Sequence, residues 1–253
     1  MKTGRIRTAV AGSRGKMGAA AIAALREADG IEFVGGLVRE APDTTEEFAS
    51  LKTLLARAKP EVLVDFTTFP ASMDIAFEAM GAGVVPVIGT SGYGESEVEK
   101  LRDESRRSGT GCIFAPNFAV GAVLMMRFAR EAAPHFDAVE IVEMHETGKK
   151  DAPSGTAMAT ARAIAAVRAF DRAPTTAVKA DGARGADLDG IGVHSLRLPG
   201  VITHQEVRFG GVGETLTVTH QSSSRASFIP GVLLAVRAAR GLTRFVDGLG
   251  ELL

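Results

Sequence analysis

The chain has 253 residues, 45 % of them apolar, with 29 Lys and Arg against 30 Asp and Glu, for a formal net charge of −1. That balance argues against nucleic acid or an anionic membrane surface as partner, and no apolar run approaches the roughly 20 residues a membrane-spanning helix needs. The lone cysteine, Cys112, excludes an internal disulfide framework; with no export signal visible in residues 1–11, a cytoplasmic setting is expected.

From Ile6 onward, short apolar runs alternate with longer helical ones. Thr8–Ala11 reads as a buried strand ending on Gly12, Lys16–Ala28 as an Ala-rich helix, and Ile31–Val38 as a second strand. Thr44 and Thr45 followed by Glu46 and Glu47 carry a helix-start signature, which predicts a helix from there to about Ala58. Val62–Phe66 is the third strand, Pro70 opens a helix to Ala82, and Val84–Ile88 is the fourth strand. Ser96–Ser108 is a charged helix and Gly111–Ala115 a fifth strand. This rhythm predicts an α/β fold: a doubly wound, Rossmann-type parallel sheet covered on both faces, suited to a dinucleotide.

After Pro116 the rhythm changes. Val120–Ala133 reads as a helix, Ala138–Met144 as a strand, Ser154–Ala169 as an Ala-rich helix, and residues 171–190 as a long loop. Val193–Leu198, Val201–Phe209 and Glu214–Gln221 follow as strands, the last with a period of two. The expected organisation is a dinucleotide-binding domain of residues 1–117 and 226–253. A second α+β domain with a mixed sheet, residues 118–225, would serve substrate binding and oligomerisation. The final helix, Phe228–Ala239, is expected to pack back on the first domain.

Gly12-Ser13-Arg14-Gly15-Lys16-Met17-Gly18 follows the first strand and opens the first helix. Glycines there permit a tight turn, and the helix start supplies N–H groups for a pyrophosphate. The spacing is G-x-x-G-x-x-G, weak alone and strengthened by its place between strand and helix. At the end of the second strand, Val38 has no group for a ribose 2′-hydroxyl, whereas Arg39, helped by Arg14 or Lys16, suits a 2′-phosphate. The expected cofactor is therefore NADPH or NADH, with NADPH favoured; Glu40 is the counter-observation. Gly89-Thr90-Ser91-Gly92 and Ala115-Pro116-Asn117-Phe118 lie at later strand ends, where open α/β sheets bind ligands. Asn117 is a candidate for the nicotinamide carboxamide, and Ser91 for cofactor or substrate.

The chemistry is expected in the stretch Glu143–Ala157. His145 closes a strand and can carry a proton near neutrality, and Lys149 can donate one or hold a carboxylate. Ser154 is a plausible N-cap, with the N–H groups of Gly155 and Thr156 placed for an anion. His135, His194, His204 and His220 show no metal-ligand spacing, so no metal is expected.

Read together, His145–Ala157, the glycine turn, Gly89–Gly92 and Ala115–Phe118 resemble the 4-hydroxy-tetrahydrodipicolinate reductases, also called dihydrodipicolinate reductases. That family carries a signature close to E-x-H-H-x-x-K-x-D-A-P-S-G-T-A. Glu143, His145, Lys149 and all of Asp151–Ala157 match it. The resemblance implies an NAD(P)H-dependent reduction of a cyclic, imine-bearing dicarboxylate with loss of water, in lysine and diaminopimelate biosynthesis, by a homotetramer. It assigns acid–base work to His145, proton donation to Lys149, and carboxylate binding to Gly155 and Thr156. Glu146 stands where the family generally has a second, substrate-contacting His; it is expected to turn outward or to pair with Lys149 or Lys150. Two other readings compete, a Rossmann-type reductase of another small imino or oxo dicarboxylate and a non-catalytic nucleotide-binding sensor.

Overall fold

Val62–Asp65 and Val85–Ile88 are buried at every position, as strands covered on both faces must be. The structure, a computed structural model, describes residues 4–253. The chain divides into two compact units, one running to Val120 and resuming at Arg225, the other spanning Gly121–Ser224. In the first unit the elements are β1 (Ile6–Ala11), α1 (Lys16–Glu27), β2 (Ile31–Leu37), β3 (Glu47–Phe48), α2 (Leu51–Ala58), β4 (Val62–Asp65), α3 (Ala71–Gly81), β5 (Val85–Ile88), α4 (Glu95–Ser108) and β6 (Cys112–Phe114).

The second unit contains α5 (Val120–Ala132), β7 (Ala138–His145), α6 (Gly155–Ala165), β8 (Ala186–Leu188), β9 (Ile191–Arg197), β10 (Thr203–Gly211) and β11 (Glu214–Ser222). The chain then returns to the first unit with α7 (Ile229–Ala239) and β12 (Phe245–Asp247). The first sheet is parallel throughout, in the order β12-β6-β5-β4-β1-β2-β3. Its order reverses between β1 and β4, the crevice where doubly wound sheets take a ligand. Helix α7 packs on this sheet and on α1, as expected of the final helix.

The second sheet runs β11-β10-β7-β9-β8 and is mixed: β7 and β9 are parallel, the other pairs antiparallel. On one face Val139 and Ile141 of β7, Ile191 and Val193 of β9, and Val207 and Phe209 of β10 form a core with Met125 and Ala129 of α5 and Ala157, Ala161 and Ile164 of α6. On the opposite face polar pairs run along the strands. His194 Nε2 lies 2.7 Å from Glu140, and His204 Nε2 2.9 Å from Glu206.

Three sequence expectations change. The helix predicted from Thr44 begins instead at Leu51, where Ser50 accepts a hydrogen bond from the Thr53 N–H, and Glu47–Phe48 join the sheet beside Gly36 and Leu37. Tertiary pairing overrode the local capping pattern: Glu46 and Glu47 are drawn to Arg26 and Arg14, and Phe48 packs into the core around Leu51 and Leu54. Helix α6 stops at Ala165 rather than Ala169, and Phe170 turns into the core of the second unit. The expected loop 171–190 contains β8, and β12 extends the first sheet beyond β6. Each is only three residues long, too short for periodicity to reveal.

Candidate active site

Gly12 leaves β1 at φ +73°, and a Cβ there would lie 2.8 Å from the Phe66 carbonyl oxygen, so only glycine suits the position. A Cβ at Gly18 would collide with the Gly12 carbonyl, so the first turn of α1 sits directly on the strand end. The helix opens on Gly15 with no side-chain cap and no acidic residue in its first turn. Its leading N–H groups and the positive end of its dipole therefore fit a pyrophosphate. Ser13 turns inward, its N–H and hydroxyl each 3.3 Å from the Leu37 carbonyl, while Lys16 is exposed.

Arg14 is already engaged. Its Nε and Nη2 donate to Glu47 at 2.9 and 2.7 Å, with Asp43 at 2.8 Å and Glu40 at 3.6 Å. The hydrogen bond from Arg14 is the largest of the influences holding the Glu47 carboxyl at about 2. Val38 is buried and Arg39 exposed, with no ion pair to Arg39 among the described residues.

The loops after β4 and β5 are tied together beside one buried carboxylate. Asp65 accepts from the Thr67 N–H at 2.8 Å and hydroxyl at 2.6 Å, and also from the Ser72 hydroxyl. Thr90 Oγ1 donates to the Thr67 carbonyl at 2.9 Å. A Cβ at Gly89 would come within 2.6 Å of the Phe66 ring and 2.7 Å of the Phe118 ring, so glycine lets these aromatics meet edge to face. Asn117 Oδ1 accepts from the Ala119 N–H at 2.9 Å, so its carbonyl end serves the turn into α5. Ala115 is buried, whereas Pro116 and Ser91 are exposed.

In the second unit, alternation along β7 places Glu143 and His145 on the same face as Val139 and Ile141, so the apolar core face ends in two titratable groups. Strand register sets Arg197 of β9 on one side of His145 and Thr203 of β10 on the other. Glu143 is 0 % exposed. Its Oε1 accepts from Arg197 Nη2 at 3.0 Å and from the Ser154 N–H at 3.3 Å; its Oε2 accepts from Arg197 Nη1 at 3.1 Å and meets His145 Nδ1 at 2.5 Å. Burial opposes ionisation of this carboxyl, but hydrogen bonds from His145, Arg197 and Ser195 outweigh it and hold the group at about 2. On the far side of the ring, His145 Nε2 is 3.1 Å from Thr203 Oγ1.

Ser154 caps α6 by accepting from the Ala157 N–H at 3.1 Å, leaving Gly155 and Thr156 at the leading edge of the helix. A Cβ at Gly155 would meet nothing within 4 Å, so that edge is open. Below it, Gln205 Nε2 donates to Thr160 Oγ1 at 2.7 Å, and Thr160 donates to the Thr156 carbonyl at 2.7 Å. Lys149 Nζ pairs with both oxygens of Asp151 at 2.9 and 3.1 Å, and Arg197 Nη2 donates to the Asp151 carbonyl at 2.6 Å. Glu146 is exposed, and its carbonyl accepts from the Lys149 N–H at 3.1 Å.

Known proteins carry the same two-part organisation. The family described as "Dihydrodipicolinate reductase, N-terminus" matches residues 6–118, and "Dihydrodipicolinate reductase, C-terminus" matches residues 121–252. The chain belongs to the dihydrodipicolinate reductase family. It is 44 % identical to the 4-hydroxy-tetrahydrodipicolinate reductase of Halalkalibacterium halodurans, over 98 % of this chain and 99 % of that one. It is also 44 % identical to the Mycolicibacterium smegmatis enzyme of the same name, with 98 % and 99 % covered. A dipicolinate-bound dihydrodipicolinate reductase from Paenisporosarcina sp. TG-14 superposes with a TM-score of 0.89 at 39 % identity, covering 98 % of this chain and all of that one. Fold and family together make the chain a nicotinamide-dependent oxidoreductase.

Relative to this family's signature, the structure gathers His145, Ser154, Gly155 and Thr156 at the end of β7 and the start of α6. Lys149 lies in the connection between them, paired to Asp151 rather than to the imidazole. Glu143, matched in the signature but given no role there, joins the site, as do Arg197 and Thr203, which the sequence did not single out. The signal for Glu143 was an acidic residue on the apolar face of an alternating strand. Arg197 and Thr203 meet His145 only through sheet register, which no local pattern discloses.

Proposed function

We propose that the chain reduces 4-hydroxy-tetrahydrodipicolinate to tetrahydrodipicolinate with loss of water, the reductase step of lysine and diaminopimelate biosynthesis. The observation that carries this reading is the anchored group in the second unit: His145 set by a buried carboxylate beside the capped, open start of α6. The reaction takes up a hydride and a proton and releases a water. The nicotinamide cofactor, when bound, supplies the hydride.

The chain's own residues supply the rest. The N–H groups of Gly155 and Thr156, at the positive end of α6, hold a substrate carboxylate. His145 moves a proton at Nε2, the nitrogen turned away from Glu143. Lys149 adds positive charge and a proton source, and Asp151 keeps its ammonium in place. Glu146, exposed at the turn, and Ser91, exposed after β5, are assigned to substrate binding by residue type. A planar dicarboxylate such as the dipicolinate bound to the Paenisporosarcina protein suits the same cradle.

The cofactor residues are Gly12 to Met17, Gly89 to Ser91 and Ala115 to Phe118, with Arg39 at the adenine ribose. Exposed Arg39 and buried Val38 support NADPH over NADH; the capture of Arg14 by Glu47 works against too strong a preference. This reading includes a homotetramer, supported by the edge strand β11 with Leu216 38 % exposed and by Val212, 96 % exposed at the β10–β11 turn. It also includes a cytoplasmic setting, consistent with a single buried thiol; no helix among the described residues is long and apolar enough to cross a membrane.

Replacing His145 or Lys149 by Ala tests the assignment. Each variant is expected to lower kcat by about 100-fold or more, the usual scale for a positioned acid or base. Turnover near the wild-type value in both would place the proton chemistry elsewhere.

A further inference from the structure

One buried carboxylate touches both halves of the second unit's site. Glu143 receives the imidazole of His145 on Oε2 and the backbone N–H of Ser154, the N-cap of α6, on Oε1. Arg197 bridges both oxygens from the neighbouring strand and donates as well to the Asp151 carbonyl, in the segment that carries Lys149. Donors from His145, Ser154 and Arg197, spread over both oxygens, leave the carboxylate no freedom to turn.

We propose that Glu143 and Arg197 are positioning residues for the reductase reaction: together they hold His145 as its Nδ1–H tautomer, with Nε2 as the working atom, and lock that atom's place relative to the carboxylate-binding start of α6. The proposal rests on the assignment of His145 as the acid–base group. An ionised carboxylate only accepts, so the 2.5 Å contact to Nδ1 requires the proton on that nitrogen. Neutral His145 then presents a lone pair at Nε2, where Thr203 Oγ1 donates at 3.1 Å, and a substrate hydroxyl can take the place of that donor. Arg197 keeps Glu143 charged and aimed; without it a fully buried anion would lose its bidentate partner. The same carboxylate fixes the Ser154 N–H, so the proton-transfer atom and the anion cradle are set from a single point.

Glu143→Gln is the informative substitution, because an amide is isosteric but cannot accept at both ends. Its oxygen takes the Oε1 place, because the Ser154 N–H there can only donate, and its NH2 then faces Nδ1 and Arg197 Nη1, of which only the imidazole can exchange donor for acceptor. The ring must answer with the opposite tautomer, putting the proton on Nε2. The 15N shifts of the His145 imidazole, recorded at a pH where the ring is neutral, read this directly in the unaltered enzyme and in the variant. The expected result is Nδ1–H in the wild type and Nε2–H in Glu143→Gln, with kcat lowered about 100-fold or more and KM changed by less than about threefold. Arg197→Lys is expected to retain more of kcat than Arg197→Met, since charge is kept while the bidentate fork is lost. A wild-type ring protonated on Nε2 would overturn the proposal without any variant having to fold. So would Glu143→Gln keeping kcat within about threefold of wild type. If the wild type itself does not turn over the substrate, the tautomer measurement still decides whether the pair holds the ring, separately from the functional assignment.

Discussion

Glu143 should make stability depend on pH in a way that one substitution isolates. Its carboxyl is held at about 2 in the folded chain against an ordinary value of 4.5. At about 1.4 kcal/mol per tenfold change in proton affinity, that depression corresponds to roughly 3 kcal/mol of stability. Because the folded value is the lower one, the contribution is complete above about pH 5, declines as pH falls through 4.5, and is gone near 2. Glu143→Gln removes the charge while keeping the shape, and leaves Arg197, only 20 % exposed, without its counter-ion. Urea unfolding of wild type and variant from pH 7 to pH 3 is therefore expected to show a gap of roughly 3 kcal/mol at neutrality that narrows steadily with acid. Other carboxyls held low, among them Glu47 and Asp151, are common to both proteins and cancel in the difference. A gap constant across that range, or absent at pH 7, would show that folding does not hold the Glu143 carboxyl low.

Two further substitutions probe the ends of helices. Ser154→Ala removes the acceptor for the Ala157 N–H and is expected to cost about 1 kcal/mol of stability and to raise KM for the dicarboxylate more than it lowers kcat; an unchanged KM would separate the cap from substrate binding. Glu47→Gln frees Arg14 from its bidentate partner and is expected to raise the ratio of kcat/KM for NADPH over NADH by about threefold or more. A ratio that does not move would show that Arg14 does not reach the 2′-phosphate.

The parts of the molecule that sequence disclosed are those where local pattern and tertiary role coincide. The buried runs at Val62–Val64 and Val85–Ile88 are apolar because both faces are covered, and Gly12 and Gly18 are glycines because backbone lies against them. Thr44–Glu47 misled because its two glutamates satisfy arginines from α1 and the glycine turn rather than their own backbone. Arg14 was legible as a basic residue on the glycine turn, but its pairing with Glu47 depends on β3, a strand of two residues. The stretch from Glu143 to Ala157 revealed His145 and the start of α6 by residue type and spacing. That Glu143 lies between them, buried and clamped by Arg197, follows from the parallel register of β7 and β9, strands separated in sequence by α6 and β8.

The reductase assignment is put to the test by steady-state turnover of the purified protein with enzymatically generated 4-hydroxy-tetrahydrodipicolinate, following oxidation of NADPH and of NADH optically. If that assignment holds, oxidation requires the dicarboxylate and proceeds with either cofactor, with the higher kcat/KM for NADPH. Oxidation no faster than background with both cofactors would contradict it.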